Sequence, residues 1–226
     1  MKAPLGQSNY DKMRDWGETA FARCDQEAVI RKFALPCDRD FVYVTFLGRR
    51  YRISRATGRV EWESPHTRQY HHGDYNEVMT ILDVLCCSRE DCALAGEFVP
   101  ITSLSGVVQS SPLGNGLFSG YASFFEHRLP LLEQACRSLG GRKEALPGDL
   151  AFRLDLLEFL PVVVQYWDGD DEFPPELRLL WDRNILTFMH YETTYFAAGH
   201  LFQRLREAAE EENGAANAGA DRTRRI

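Results

Sequence analysis

The chain has 226 residues, of which 44% are hydrophobic and 26% charged, a composition that indicates a folded protein and excludes a disordered one. Its net charge of −7 disfavours a broad surface for nucleic acid or an anionic membrane. No apolar run is long enough for a membrane helix, and the first residues lack the apolar core of a signal peptide. We therefore expect a cytoplasmic protein that binds neither nucleic acid nor membrane, with its six cysteines reduced.

The first part of the chain has a helical pattern. The segment from about Ser8 to Phe33 predicts one helix or two short ones, and Asp25 is placed to cap the second. Pro36 ends the helical pattern. We expect residues 1–39 to form a helical extension that precedes the main domain.

A β-meander follows. Runs of β-branched and aromatic residues predict strands at Phe41–Leu47, Tyr51–Ser54 and Val60–Trp62. Turn residues at Gly48 and at Gly58 separate the three strands. The arginines of this segment are expected on the solvated face of the sheet.

The next segment, Ser64–Asp74, is polar and rich in histidine. His66, His71, His72 and Asp74 do not match the tight spacing of a structural zinc site. One loop rarely supplies convergent ligands together with the groups that orient them. The pattern therefore predicts a solvated loop.

Cysteines cluster at the end of a predicted helix, Glu77–Ser88. Cys86, Cys87 and Cys92 offer thiolates to zinc or to an iron–sulfur cluster, but the CxxC pair and a fourth nearby cysteine are missing. Buried free thiols at a helix end are the favoured interpretation.

A glycine-rich segment precedes the second predicted helical region. Gly114, Gly116 and Gly120 follow Val107-Val108 in the spacing GxGxxxG, one residue longer than the dinucleotide fingerprint. A glycine loop at a helix N-terminus can hold phosphate, but this spacing favours a flexible loop. A helix is expected from about Tyr121 to Leu139.

Strands and a long helix make up the last part of the pattern. Alternation predicts a strand at Asp149–Leu157, and apolar β-branched residues predict another that ends at Trp167. A third strand is expected at Leu177–Asp182, and a helix at about Thr187–Glu211. The predicted fold class is α+β, with an antiparallel sheet, packed helices and a long C-terminal helix.

The turn between two of these strands is strongly acidic. Asp168, Asp170, Asp171 and Glu172 place four carboxylates in five positions, and the rigid pair Pro174-Pro175 follows. Like charges this close need a compensating cation, arginine or set of backbone N–H groups. Ordinary turn chemistry, in which Asp side chains accept local N–H groups, is the simpler interpretation.

Aromatic residues flank this turn, and a histidine and a further acid follow the third strand. The candidate ligand-binding residues are Trp167, Asp170, Asp171, Glu172, Trp181, His190 and Glu192. An aromatic pocket with a few polar groups predicts a binding or accessory module for a planar or cationic ligand. An enzyme that uses carboxylate and histidine as general acid and base is an alternative, and a purely structural or interaction protein is another.

The chain resembles the family called domain of unknown function 3786 from about Asp40 to Leu205. The resemblance rests on these segments: Gly96–Val99, Leu104, Gly106, Trp167–Pro175, Leu180–Asp182 and His190–Glu192. It implies one α+β domain over residues 40–212, while the small, polar residues 213–226, which have no pattern, predict a disordered tail. It also implies an anaerobic host and an iron–sulfur or corrinoid-related protein partner, while the cofactor, the metal and the reaction stay unknown.

Overall fold

A computed structural model describes residues 8–65, 67–104 and 119–223 of the chain. Within these residues are seven α-helices and nine strands whose pairings are antiparallel, which confirms the predicted α+β class. The chain forms two compact units. The first comprises Met1–Ala93 and Asn184–Ala197, and the second comprises Leu94–Arg183 and Ala198–Ile226.

Three helices near the chain start belong to the first unit. They are α1 (Asn9–Arg23), α2 (Gln26–Phe33) and α3 (Tyr75–Cys87). The side chain of Asp25 accepts a hydrogen bond from the backbone N–H of Ala28 and so caps α2, as the sequence predicts. Helix α1 packs on α3.

The strands of the first unit are β1 (Phe41–Phe46), β2 (Arg49–Ser54), β3 (Val60–Glu63) and β4 (Tyr70–His72). They pair in chain order. Three of them confirm the predicted meander, but β4 corrects the prediction of a plain loop. His71 and His72 pair with β3, and the His72 ring lies 2.6 Å from a carboxylate oxygen of Glu18.

The second unit contains the strands β5 (Phe98–Pro100), β6 (Arg142–Lys143), β7 (Leu150–Leu157), β8 (Leu160–Trp167) and β9 (Glu176–Asp182). Strand β8 pairs with β7 on one side and with β9 on the other, and β9 also pairs with β5. The apolar run of β8 is buried because neighbouring strands and packed side chains cover it. The turn between β8 and β9 is the acidic segment.

Two helical segments differ from their predicted form. The helix expected at Tyr121–Leu139 is two helices, α4 (Ser119–Phe124) and α5 (Leu129–Ser138). His127, between them, has a φ of 56°, so the chain leaves the right-handed helical conformation there. Pro130 then fits the first turn of α5, where its missing N–H costs nothing.

The C-terminal helical region is also divided. A short helix, α6 (Ile185–Phe188), precedes the long helix α7 (Tyr191–Thr223). Helix α7 includes most of the residues expected in a tail, and the division into residues 1–39, 40–212 and 213–226 stays a prediction. His66, Gly114 and Gly116 lie outside the described residues. Across the residues that the structure describes, no helix has both the length and the apolar character needed to span a membrane.

Candidate functional site

The turn that joins β8 to β9 is shaped by Asp170. Its Oδ1 accepts hydrogen bonds from the backbone N–H of Glu172 at 2.8 Å and of Phe173 at 2.7 Å. The backbone N–H of Asp170 donates to the carbonyl of Phe173 at 2.9 Å. The two bonds from Glu172 and Phe173 lower the pKa of Asp170, because they favour its ionised form. The carboxylate of Asp170 therefore holds the turn and stays charged.

Two further aspartates fix the start of this turn. The backbone N–H of Asp168 donates to Asp149 Oδ2 at 2.8 Å, which ties the turn to the beginning of β7. Asp168 Oδ1 accepts the backbone N–H of His127 at 2.8 Å and that of Gly169 at 3.0 Å. Burial first, and then the charge of Asp168, raises the pKa of the Tyr166 hydroxyl well above its ordinary value. Tyr166 therefore stays a neutral donor.

A cavity of about 530 Å³ opens beside this turn, within the second unit. We call it the acidic cavity. Its lining residues are Ala122, Ser123, Asp149, Trp167, Asp168, Asp170, Phe173, Pro174, Pro175, Glu176 and Leu177. Four of these carry carboxylates and two carry aromatic rings, and none of the described lining residues is a lysine or an arginine. The cavity therefore joins negative charge to an aromatic surface.

A cation already lies against one part of this wall. The Arg178 guanidinium donates to both carboxylate oxygens of Glu176, at 2.6 and 3.0 Å. Its central carbon lies 4.8 Å from the centre of the Trp167 ring. This pair neutralises Glu176, while Asp149, Asp168 and Asp170 keep the cavity acidic. The stacking also shows that the Trp167 ring can accept a guanidinium.

The structure divides the candidates of the turn into two groups. Trp167 and Asp170 line the acidic cavity. Asp171 and Glu172 are exposed and are not among the residues that line it. Phe173 is 65% exposed and belongs to the lining, although the sequence analysis did not select it.

The exposure of Glu172 leads to a direct prediction. Glu172→Ala is expected to leave the free energy of unfolding within about 0.5 kcal/mol of the wild type, because an exposed carboxylate satisfies no buried donor. Denaturant unfolding measures this difference. A loss of more than about 1 kcal/mol would mean that Glu172 bonds to buried groups.

Trp181 lies in the core of the second unit and not in the wall of the acidic cavity. It is 2% exposed, and its backbone pairs with Val162 on β8 and with Val99 on β5. The next residue, Asp182, is fully buried and accepts the backbone N–H groups of Ala95 at 2.9 Å and Gly96 at 2.8 Å. These two bonds give Asp182 a structural role, because they attach the segment before β5 to the end of β9.

His190 belongs to the first unit, where it contacts an acid that the sequence analysis did not select. Its Nδ1 lies 2.6 Å from Asp83 Oδ1, and its backbone N–H donates to Asp83 Oδ2 at 2.8 Å. Cys87 lies at the same place, so the described residues Asp83, Cys87 and His190 could hold a metal ion. Glu192 is exposed in the first turn of α7.

Long sequence separation hid several of these groups. Asp83 is 107 residues from His190, and no local motif joins them. The sequence does contain one indication that Asp83 has a special role, because it is a charged residue inside the apolar helix segment 78–87. For Asp149, alternation predicts only the start of a strand, although a carboxylate beside Pro147-Gly148 also suits a turn.

Most of the chain is similar to one known protein family. A family model described as "Domain of unknown function (DUF3786)" matches residues 25–204, which is most of the chain. No curated protein matches it, and no solved structure does.

Proposed function

The chain belongs to the DUF3786 family of unknown function, and from that premise we propose that it is a cytoplasmic ligand-binding module whose site is the acidic cavity. The observation that carries the proposal is the cavity of about 530 Å³ with carboxylates and aromatic rings in one wall. Pockets for small organic molecules have volumes of roughly 300–1,000 Å³ and combine apolar walls with a few fixed polar groups. The acidic cavity has both properties.

The charge of the lining selects the class of ligand. One carboxylate oxygen of Asp149 accepts one backbone N–H group, and one of Asp170 accepts two, so these charges are oriented before any ligand enters. Trp167 and Phe173 supply flat apolar surface beside them. An amine or guanidinium on an organic group would be attracted by the carboxylates and would stack on a ring, whereas an anion would be repelled.

Titration with arginine amide, a small guanidinium and ammonium probe, tests this proposal. We expect saturable binding by calorimetry that weakens as salt is added. Asp170→Asn should weaken it by roughly tenfold, because the neutral side chain loses the charge but keeps Oδ1 for the turn. Trp167→Ala should weaken it to a similar degree by removing the stacking surface.

Asp171→Asn is the matched control. It removes the same charge from the neighbouring position, but Asp171 is not among the lining residues. Binding of the probe should therefore change little. Equal losses from the Asp170 and Asp171 variants would indicate a general charge effect and would contradict a site in the cavity.

The family resemblance adds a partner to the proposal, namely an iron–sulfur or corrinoid-dependent protein. A basic side chain of such a partner would suit the acidic cavity for the same electrostatic reasons. Purification without oxygen tests this part, and the absorbance spectrum is its measurement. We expect an iron–sulfur or corrinoid chromophore to copurify with the wild-type chain and not with the Asp170→Asn variant. If the chromophore copurified equally with the wild type and with the Asp170→Asn variant, the partner would bind at a surface other than the acidic cavity.

A further inference from the structure

Three side chains of the first unit meet where the end of α3 approaches the residue before α7. A carboxylate oxygen of Asp83, the thiol sulfur of Cys87 and a ring nitrogen of His190 all lie within 4.8 Å of one another. Asp83 and Cys87 are four residues apart on α3, so they occupy the same helix face. We call these three residues the Asp83 cluster.

The two oxygens of Asp83 have different partners. Oδ2 accepts the backbone N–H of His190 at 2.8 Å and the hydroxyl of Thr193 at 2.6 Å. These two bonds hold the start of α7 and fix the carboxylate plane. Oδ1 is then directed at His190 Nδ1, 2.6 Å away. The two bonds to Asp83 Oδ2 attach the start of α7. Neither bond involves Cys87 or the His190 ring, so the attachment does not explain why these two groups lie here.

We propose that the Asp83 cluster is a binding site for a zinc-like divalent cation, with Asp83 Oδ1, His190 Nδ1 and Cys87 Sγ as its ligands. One oxygen, one imidazole nitrogen and one sulfur suit Zn²⁺ or Co²⁺, whereas Mg²⁺ and Ca²⁺ prefer oxygen ligands alone. Hydrogen bonds from the protein to the second carboxylate oxygen are typical of metal ligands, because they orient the first.

The spacing between the ligand atoms of Asp83 and His190 requires only a small movement. Bonds of about 2.0–2.1 Å to nitrogen and oxygen in a tetrahedral site put those two atoms roughly 3.3 Å apart. His190 Nδ1 would therefore move about 0.7 Å away from Asp83, and its ring can do so because the side chain is 64% exposed. His190 would then bind as the tautomer that carries its proton on Nε2 instead of Nδ1, and the thiol proton of Cys87 would pass to water.

Such a site would keep an open position. Three protein ligands leave the fourth tetrahedral position to water, as in zinc sites that bind an exogenous group. His190 and Cys87 are both exposed, so a small molecule or a ligand from another protein could reach that position.

Cobalt titration of the full chain under reducing conditions tests the inference. We expect Co²⁺ to bind at micromolar or lower concentration with a sulfur-to-cobalt charge-transfer band, and Zn²⁺ to displace it. Cys87→Ala should remove the band and weaken Zn²⁺ binding by roughly 100-fold or more, since losing a ligand should cost at least as much as losing an orienting partner. His190→Ala should weaken binding to a similar degree.

The controls are an exposed cysteine and an exposed histidine of the same unit, Cys37 and His71. Cys37→Ala and His71→Ala should keep the wild-type spectrum and affinity, and circular dichroism checks that each variant folds. Zn²⁺ should also protect Cys87, but not Cys37, from alkylation in the wild-type chain. Absence of the charge-transfer band from the wild type, or its survival in the Cys87→Ala variant, would overturn the inference.

Discussion

Replacing Asp182 with asparagine is expected to lower the free energy of unfolding by about 2–4 kcal/mol. The Asp182 carboxylate is fully buried and accepts the backbone N–H groups of Ala95 and Gly96, one on each oxygen. Asparagine has the same shape but offers one acceptor oxygen, and its NH₂ group would face a second donor. One buried N–H would lose its partner, and the other would lose a charge-assisted bond.

Urea unfolding followed by tryptophan fluorescence measures this loss. Asp171→Asn is the control, because it makes the same chemical change at an exposed position, and its unfolding midpoint should match that of the wild type. If the Asp182 variant had the same midpoint as the control, the two backbone bonds would be too weak to hold the segment before β5 against β9.

Replacing Glu77 with alanine is expected to lower the free energy of unfolding by about 3–5 kcal/mol. Glu77 is 2% exposed, and its Oε1 accepts from the guanidinium of Arg49 at 2.9 Å and from the hydroxyl of Tyr51. Its Oε2 accepts the backbone N–H of Asp74 at 2.7 Å, which completes the capping box of α3. Alanine would deprive three donors, one of them charged, of this shared acceptor.

The pH dependence of this effect has a definite sign. Burial, and after it the charge of Asp74, raises the pKa of Glu77 above its ordinary value of 4.5. The folded protein therefore binds this proton more tightly than the unfolded chain. The resulting stabilisation is complete below the unfolded pKa and is lost as the pH rises through the higher folded pKa. The cost of Glu77→Ala should thus be larger near pH 4 than near pH 7.

Unfolding midpoints at several pH values check both expectations. Glu77→Gln, an uncharged side chain of similar shape, should cost less than alanine because its carbonyl still accepts one donor. Glu90→Ala removes an exposed acid of the same unit and should have no effect. A cost of Glu77→Ala that grew with pH would contradict the raised pKa.

Strands with a strong local pattern could be predicted from the sequence alone. The alternation in β7, the β-branched run in β8 and the turn residues around β2 specify extended structure without any distant contact. The same is true of the cap that Asp25 provides to α2. In each of these elements, the residues that decide the structure are neighbours in the chain.

Elements that depend on distant partners were missed or simplified. Strand β4 has only three residues, one tyrosine and two histidines, and it exists through its pairing with β3, which local propensity does not encode. The interruption between α4 and α5 rests on a left-handed conformation at His127, a residue whose type does not demand it. Local pattern alone therefore predicts a loop in place of β4 and a single helix in place of α4 and α5.

The residues of the candidate site also divide into those that the local sequence indicates and those that only the folded chain brings together. Trp167 and Asp170 could be selected because the acidic turn is local, and both line the acidic cavity. Trp181 is a candidate because of its residue type, but its side chain is 2% exposed in the core, on a strand that is paired on both sides. The contact of His190 with Asp83 joins residues 107 positions apart, so only the folded chain reveals it.

The rim of the acidic cavity is held by bonds within the protein, and this has a kinetic consequence. Asp170 closes the turn through two backbone N–H groups, and Pro174 and Pro175 restrict the backbone that follows. A ligand would not have to order this loop, so little conformational entropy of the protein opposes binding. The rate of association would then be set by diffusional encounter, which the negative field of the cavity accelerates for a cation. Added salt would lower the association rate constant more than it changes the dissociation rate constant.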